Sequence, residues 1–474
     1  MRLAQSAAVL TCLALGACAS ARAPDVRLPA AFEAANPGGL APQALDRWWT
    51  AFGDPQLEAL IDQALVSAPD ARSAAARLRE ARAARASYLS SFLPQGDATG
   101  SARRTTTEQL SGTVVDIPGF STSGTTRSYA ADFDVSWEVD LFGRFLAARR
   151  AANADLAAAR FNAEGARASL AANIADSYFE ARGLAIQLAD AQETARIQRA
   201  LYDLATRRAQ LGLAAASEAD RVAGDLAQSD AQAAALAAQL QAARRTLLIL
   251  AGRGIDPIAS LPAPAGVGAP PPVPAIVPGE LLLRRPDVRE AQARMTSAAG
   301  VLTYDRLAFF PTLNFTPGLG WSKQTQPNFS STSQSWTLGG ALTQPVLDIP
   351  RLLAELKAQD ARTEQAVIAY EKTVQTAFGE AENALVQLAA DRRRVVLLQD
   401  GEARAGRAYE ASRVAYAKGL NDLTTTLSAE QSWRATRAQY TAAQVQALRR
   451  TVQTYKALGG GWPADFASTN RQGR

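Results

Sequence analysis

The sequence predicts a mainly α-helical, internally duplicated chain with a small β part of the kind that meets a membrane. Three observations carry this. Two blocks of the chain repeat in the same order, residues 129–140 alternate strictly between apolar and polar, and two very long stretches lack proline.

The repeat comes first because it organises everything else. Pro69-Asp70-Ala71-Arg72 recurs as Pro286-Asp287-Val288-Arg289, and the same spacing takes Phe92-Leu93-Pro94 to Phe309-Phe310-Pro311. Further on, a slightly shorter spacing takes Val139 to Val346, Arg144 to Arg351 and Gly212-Leu213 to Gly419-Leu420. The change of spacing falls between Pro94 and Val139, so the first half carries the longer loop there. Each half reads as helix, β-hairpin, very long helix, turn and helix. The boundaries expected are 55–256 for the first repeat and 279–457 for the second, with hairpins at 95–140 and 312–347. Long helices follow at 143–211 and 350–418, and return helices at 218–252 and 422–457. Residues 257–278 contain eight prolines and form an irregular linker.

From Tyr129 to Asp140, Tyr129, Ala131, Phe133, Val135, Trp137 and Val139 share one face, while Asp132, Asp134, Glu138 and Asp140 share the other. In the second half Leu313, Phe315, Leu319 and Trp321 alternate with Thr312, Asn314, Thr316 and Ser322, and Trp336, Leu338 and Leu342 alternate with Thr337, Gly339 and Ala341. A fourth strand over Gln95–Arg104 is weak, because its alternate positions are merely small. A half-buried soluble sheet would alternate too. Aromatic residues on the apolar face and carboxylates opposite favour a membrane barrel whose acidic face lines water.

Neither Arg144–Gly212 nor Arg351–Gly419 contains proline beyond its first turn, so each can run about 100 Å as helix. Neither is apolar enough to span a bilayer, and alanines such as Ala152, Ala159, Ala163 and Ala166 permit close lateral packing. Four strands cannot close a barrel, and open sheet edges are not tolerated in lipid, so several chains must pool their strands. Eight strands from two chains and twelve from three both satisfy this.

Composition narrows the chemistry. The chain of 474 residues has no histidine, and its two cysteines, Cys12 and Cys18, both lie near the N-terminus. Histidine-based catalysis, histidine-ligated metals and cysteine metal clusters are excluded, so no cofactor and no metal site is expected. The net charge of +5 is spread without a dense basic run, so no nucleic-acid partner is expected. Paired carboxylates could serve acid–base chemistry, but Asp132 and Asp134 read better as pore lining, and no Gly-rich phosphate loop or nucleophile elbow occurs. Arg2, the apolar stretch Ala4–Leu15 and then Leu15-Gly16-Ala17-Cys18 form a signal peptide ending in what looks like a lipobox. That implies removal of residues 1–17 and lipidation of Cys18, the chain then beginning with an extended segment over 18–54. An ordinary signal peptide with a chance cysteine is the competing reading. Residues 458–474 read as a tail.

Three motifs then converge on one family. Arg47-Trp48-Trp49-Thr50-Ala51-Phe52-Gly53-Asp54-Pro55-Gln56-Leu57, Leu281-Leu282-Leu283-Arg284-Arg285-Pro286-Asp287-Val288 and Asp140-Leu141-Phe142-Gly143-Arg144 together resemble the TolC-like outer-membrane efflux family. The match is to its lipoprotein branch, which serves resistance-nodulation-division pumps. The resemblance implies a homotrimer with one twelve-stranded outer-membrane β-barrel continued by a long periplasmic α-helical barrel. It also implies contact with outer-membrane lipid, a periplasmic adaptor protein and an inner-membrane resistance-nodulation-division transporter as partners, and passive conduction without catalysis. Leu211-Gly212-Leu213 and Lys418-Gly419-Leu420 would be the periplasmic tips that receive the adaptor. Tyr416 and Glu218 stand where the family places a latch, the phenol donating to the carboxylate. Asn421 stands where one subfamily has a latch arginine, and Thr425 and Ser428 stand where relatives carry aspartates. Within the family, metal-ion efflux and type I protein secretion are alternatives. Outside it, a periplasmic coiled-coil spacer is the remaining rival.

Overall fold

The computed structural model describes residues 23–33, 45–108, 110, 124–274, 276–326 and 329–461. Cys18, its lipobox and the end of the C-terminal tail lie outside the described residues. A 3-10 turn at Trp48–Phe52 precedes α1 (Pro55–Ser67) and α2 (Pro69–Ser90). The hairpin β1 (Gln95–Thr107) and β2 (Gly124–Val139) follows, then α3 (Arg144–Gln210) and α4 (Ala216–Leu250). The second half repeats the series as α5 (Pro278–Arg284), α6 (Pro286–Leu307), β3 (Thr312–Gln326), β4 (Phe329–Thr343), α7 (Ile349–Ala417) and α8 (Leu423–Ala457).

One expectation needs correcting. The opening helix of each half is two helices, broken where the sequence repeats Pro-Asp. Ala68 and Arg285, the residues before those prolines, are extended at ψ 142° and ψ 124°. A proline ring excludes helical geometry from the residue before it, so the break is dictated at both sites.

The chain divides into two compact units. One holds Arg79–Ala158 and Gln292–Ala369. Its four strands form one antiparallel sheet in the order β1-β2-β3-β4, so the hairpins of the two halves join through β2 and β3. Beside the sheet, Phe92 meets Phe145 and Tyr304 edge-on, and Phe142 stacks on Phe310 at 5.0 Å. Gly300 lies so near Ala151 that an added Cβ would sit 2.9 Å from its backbone nitrogen. That is the close helix approach that small residues allow.

The second unit comprises Asp25–Leu78, Ala159–Ala291 and the described residues from Tyr370 onward. The N-terminal motif is its core. Trp48 stacks on Tyr455 at 5.6 Å and meets Trp49 and Phe52 edge-on. Asp54 caps α1 by accepting from the backbone of Gln56 and Leu57, and its other oxygen takes Tyr178 Oη at 2.7 Å and Arg182 Nη1 at 2.5 Å. The mid-chain motif ties helices together. Arg285 donates to Asp287 at 2.6 Å, Glu380 at 2.7 Å and the carbonyl of Ala457 at 3.1 Å. These motifs therefore carry structural roles. No helix among the described residues is long and apolar enough to cross a membrane.

Candidate functional site: a two-faced sheet and two helical tips

In the sheet, register fixes which residues share a face. Asp134 pairs with Asp97 on β1 and Gly318 on β3, and Asp132 pairs with Thr99 and Gly320. Partners in an antiparallel pair point the same way, so Asp97 joins Asp132 and Asp134. Sequence reading missed Asp97 because β1 has no apolar stripe to set its phase. Glycines at 318 and 320 leave room for the β2 carboxylates. A Cβ at Gly318 would lie 2.9 Å from Asp134 Oδ1, and one at Gly320 would lie 2.9 Å from Asp132 Oδ1. The opposite face carries Tyr129, Phe133, Trp137, Leu319, Trp321, Trp336, Leu338 and Leu342, all exposed on the single chain.

The other two strand acids have local duties. The strand ends at Val139, so Asp140 stands beyond it and not on its acidic face. Its carboxylate accepts from the backbone nitrogens of Gly143, Arg144 and Phe145 at 2.7–3.0 Å, capping α3. Alternation reached one residue too far, because a helix cap and a strand residue are both polar. Glu138 keeps its place on the strand but pairs with Arg144 at 2.8 Å, and the same guanidinium donates to Tyr304 Oη at 2.8 Å.

In the second unit both long helices end alike. Gly212 and Gly419 each have φ +74°, a left-handed conformation that glycine adopts without strain. Leu213 N then bonds to Arg208 O at 2.8 Å, and Leu420 N to Ala415 O at 2.9 Å. The reversals push apolar side chains outward. Leu211, Leu213 and Leu420 are 71%, 67% and 79% exposed, and Lys418 is exposed beside them.

Behind the tips Leu201, Ala205, Val222, Tyr416, Leu423 and Leu427 pack into one cluster, so the two tips are neighbours. The expected bond from Tyr416 to Glu218 is absent. The Tyr416 hydroxyl is buried and has no hydrogen-bond partner among the described residues, and the Arg208 guanidinium lies 4.9 Å from the ring centre. Burial raises the phenol's pKa, Arg208 opposes the rise and the negative charge of Glu218 adds to it. The two groups thus sense each other through space. Asn421 donates to Ser412 Oγ at 2.8 Å. Asp422 caps α8 through Thr425 N at 2.7 Å, while the side chains of Thr425 and Ser428 are exposed.

Sequence reading also missed Glu430. It is 0% exposed, accepts from Gln198 Nε2 at 2.8 Å and lies 3.7 Å from Arg434. Burial outweighs Arg434, and with Asp225 adding repulsion the carboxyl is pushed up to about 7. On a long amphipathic helix an inward glutamate leaves no mark in the pattern.

With that geometry in place, comparison with known proteins identifies the lineage. The sequence profile described as "Outer membrane efflux protein" matches residues 60–253 and 277–460, one match in each repeat. The chain belongs to the outer membrane efflux protein family. It is 30% identical over 465 residues to the pyoverdine export outer membrane protein OpmQ of Pseudomonas aeruginosa, covering 96% of this chain and 97% of that one. It is also 30% identical to the outer membrane protein OprJ of the same organism, covering 96% and 95%. Among solved structures, the outer-membrane channel OprN superposes with a TM-score of 0.79 at 26% identity, covering 94% of this chain and 100% of that one. The open state of the Neisseria gonorrhoeae MtrE outer membrane channel gives 0.79 at 26%, covering 94% and 98%. The protein is accordingly an outer-membrane efflux channel with a periplasmic helical part.

Proposed function

We propose that three copies of this chain pool their strands into one twelve-stranded barrel and act as the exit duct of a tripartite pump. A periplasmic adaptor engages the Leu211-Gly212-Leu213 and Lys418-Gly419-Leu420 tips, and an inner-membrane resistance-nodulation-division transporter supplies the energy. The channel conducts small molecules passively and performs no catalysis. Cys18 carries a lipid that adds membrane affinity to a barrel already able to anchor itself.

The observation that carries this reading is the segregation of charge in the sheet. All four strand carboxylates, Asp97, Asp132, Asp134 and Glu138, occupy one face, and the large apolar residues occupy the other except Phe329, at the loop end of β4. A wall between water and lipid needs both faces at once, and here the apolar face stays exposed on the single chain and covers no core of its own. The exposed leucines at two equivalent turns support the adaptor assignment, since isolated apolar tips of this kind suit a partner's helices.

Ion selectivity of the reconstituted channel in a planar bilayer tests the reading. Rings of carboxylates attract cations, so potassium should be preferred over chloride at low salt, and the preference should fade as salt rises. Asp97→Asn, Asp132→Asn and Asp134→Asn combined should remove most of it. Anion preference in the parent channel would overturn the assignment of the acidic face to the pore.

A further inference from the structure

The apolar face of the sheet is not apolar to its end. Arg104 on β1 pairs directly with Arg127 on β2, and Lys323 on β3 pairs with Tyr129, one rung nearer the apolar belt. Residues 104, 127 and 323 all belong to the face of Tyr129, Phe133 and Trp321, by register and by the two-residue period. These two neighbouring rungs lie at the loop end of the sheet, away from the ends that continue into helices. All three side chains are exposed. None makes a hydrogen bond or an ion pair among the described residues, and Glu108, just past the end of β1, pairs with none of them.

Two arginines directly opposite in a sheet bring their Cβ atoms within about 5.5 Å and destabilise the pair unless an anion joins them. Nothing on this face supplies one. Of the four strand cations, Arg103 alone points to the acidic face, while the other three gather on the face that has no carboxylate at all. Tyr129 stands level with Lys323, Trp321 follows one rung further on beside Ala131, and then come Phe133 and Leu319, which pair directly. Cations at the loop end, aromatics beside and below them and an apolar belt beyond match a ligand with an anionic head and hydrocarbon tails. Arginine forks fit phosphate oxygens in two-pronged fashion, which a lone ammonium does not.

We propose that Arg104, Arg127 and Lys323 bind the phosphate of an outer-leaflet lipid whose acyl chains lie along Tyr129, Trp321 and the belt beyond. A free phosphate ion would satisfy the cations but leave the adjoining belt unused, so the lipid is the better occupant. The inference rests on the reading that this face meets the membrane.

Native mass spectrometry of the detergent-purified full-length protein provides the test, with a bisphosphorylated diglucosamine lipid and its dephosphorylated counterpart as probes. The parent should retain at least ten times more of the phosphorylated lipid. Arg104→Gln, Arg127→Gln and Lys323→Gln together should abolish that preference, whereas Arg103→Gln, which removes a charge from the same strand but the other face, should keep it. Arg127→Lys controls for folding and should retain most of the binding. A preference that survives the triple change, equal loss with Arg103→Gln, or full displacement by millimolar inorganic phosphate would overturn the proposal. A nitroxide at Leu319→Cys in lipid vesicles separates the two levels. Collisions with oxygen and not with an aqueous nickel chelate place the face in lipid, so a failed lipid preference then refutes this site alone. The reverse pattern refutes the membrane-facing reading and the site with it.

Discussion

The root of the first half is held against α8 of the second by buried aromatic stacking, and the root of the second half by a guanidinium. In the first, Trp48 stacks on Tyr455, and Asp54 caps α1 while accepting from Tyr178 and Arg182. In the second, α5 begins without a side-chain cap, and Arg285 instead joins Asp287, Glu380 and the last turn of α8. The helices flanking these anchors correspond, and both breaks fall at Pro-Asp. A duplicated backbone has thus kept its plan while each copy acquired its own fastening. The energies should differ accordingly, because a stack sealed from water and an ion pair with half-exposed partners respond differently to loss of one member.

The largest difference should appear when each anchor is removed. Trp48→Ala empties a site that is fully enclosed, and should cost about 3–5 kcal/mol. Arg285→Ala breaks two pairs whose carboxylates are about half exposed, 47% and 54%, so solvent screening should hold the loss to roughly 1–2 kcal/mol. Guanidinium unfolding of the detergent-solubilised protein, followed by helical circular dichroism, measures both. Equal losses would mean that the two fastenings are energetically interchangeable and would break the comparison.

How the sequence revealed these features depends on their range. The repeat, the strands and the glycine turns were visible because periodicity and glycine act locally. Asp97 stayed hidden because its significance comes only from pairing with Asp134 across the hairpin. Asp140 misled because one carboxylate can continue an alternation or cap a helix. Tyr416 and Glu218 stand on neighbouring tips, but no bond joins them among the described residues, since the phenol turns inward beneath Arg208. Glu430 needed the fold itself, because Gln198, which binds it, lies far away in sequence.

Glu430 also sharpens the comparison, because the region behind the tips holds a fully buried carboxyl pushed up to about 7. Its folded pKa is raised from 4.5 to about 7, so the folded tip prefers the protonated form. The stabilisation it contributes is complete below about pH 4.5 and is lost as pH rises through about 7, a difference on the order of 3 kcal/mol. Native-state hydrogen exchange should therefore show the free energy of opening for Leu423–Glu430 falling between pH 5 and 8. Glu430→Gln should flatten that dependence and leave the Trp48 region unchanged. A parent tip whose opening energy is constant over this range would remove Glu430 from any account of tip stability.

The smallest effect should be a difference of almost nothing between the two tips. Gly212 and Gly419 share φ +74°, share the same pair of closing backbone bonds, and have no atom within 4 Å of where a Cβ would stand. Replacing either by alanine therefore adds no clash and costs only the left-handed conformation, about 1–2 kcal/mol. The flanks differ: α8 starts with the Asp422 cap, whereas Ala215 offers α4 no side-chain cap. A cap contributes about 1 kcal/mol to its own helix, but it does not touch the glycine's dihedral angle. Gly212→Ala and Gly419→Ala should thus lower the opening free energies of their own turns equally, to within a few tenths of a kcal/mol. Asp422→Ala should then bring the second tip down toward the first. If instead Gly419→Ala costs markedly more than Gly212→Ala, the cap and the turn form one cooperative unit, and the tips have diverged in energy as the roots have.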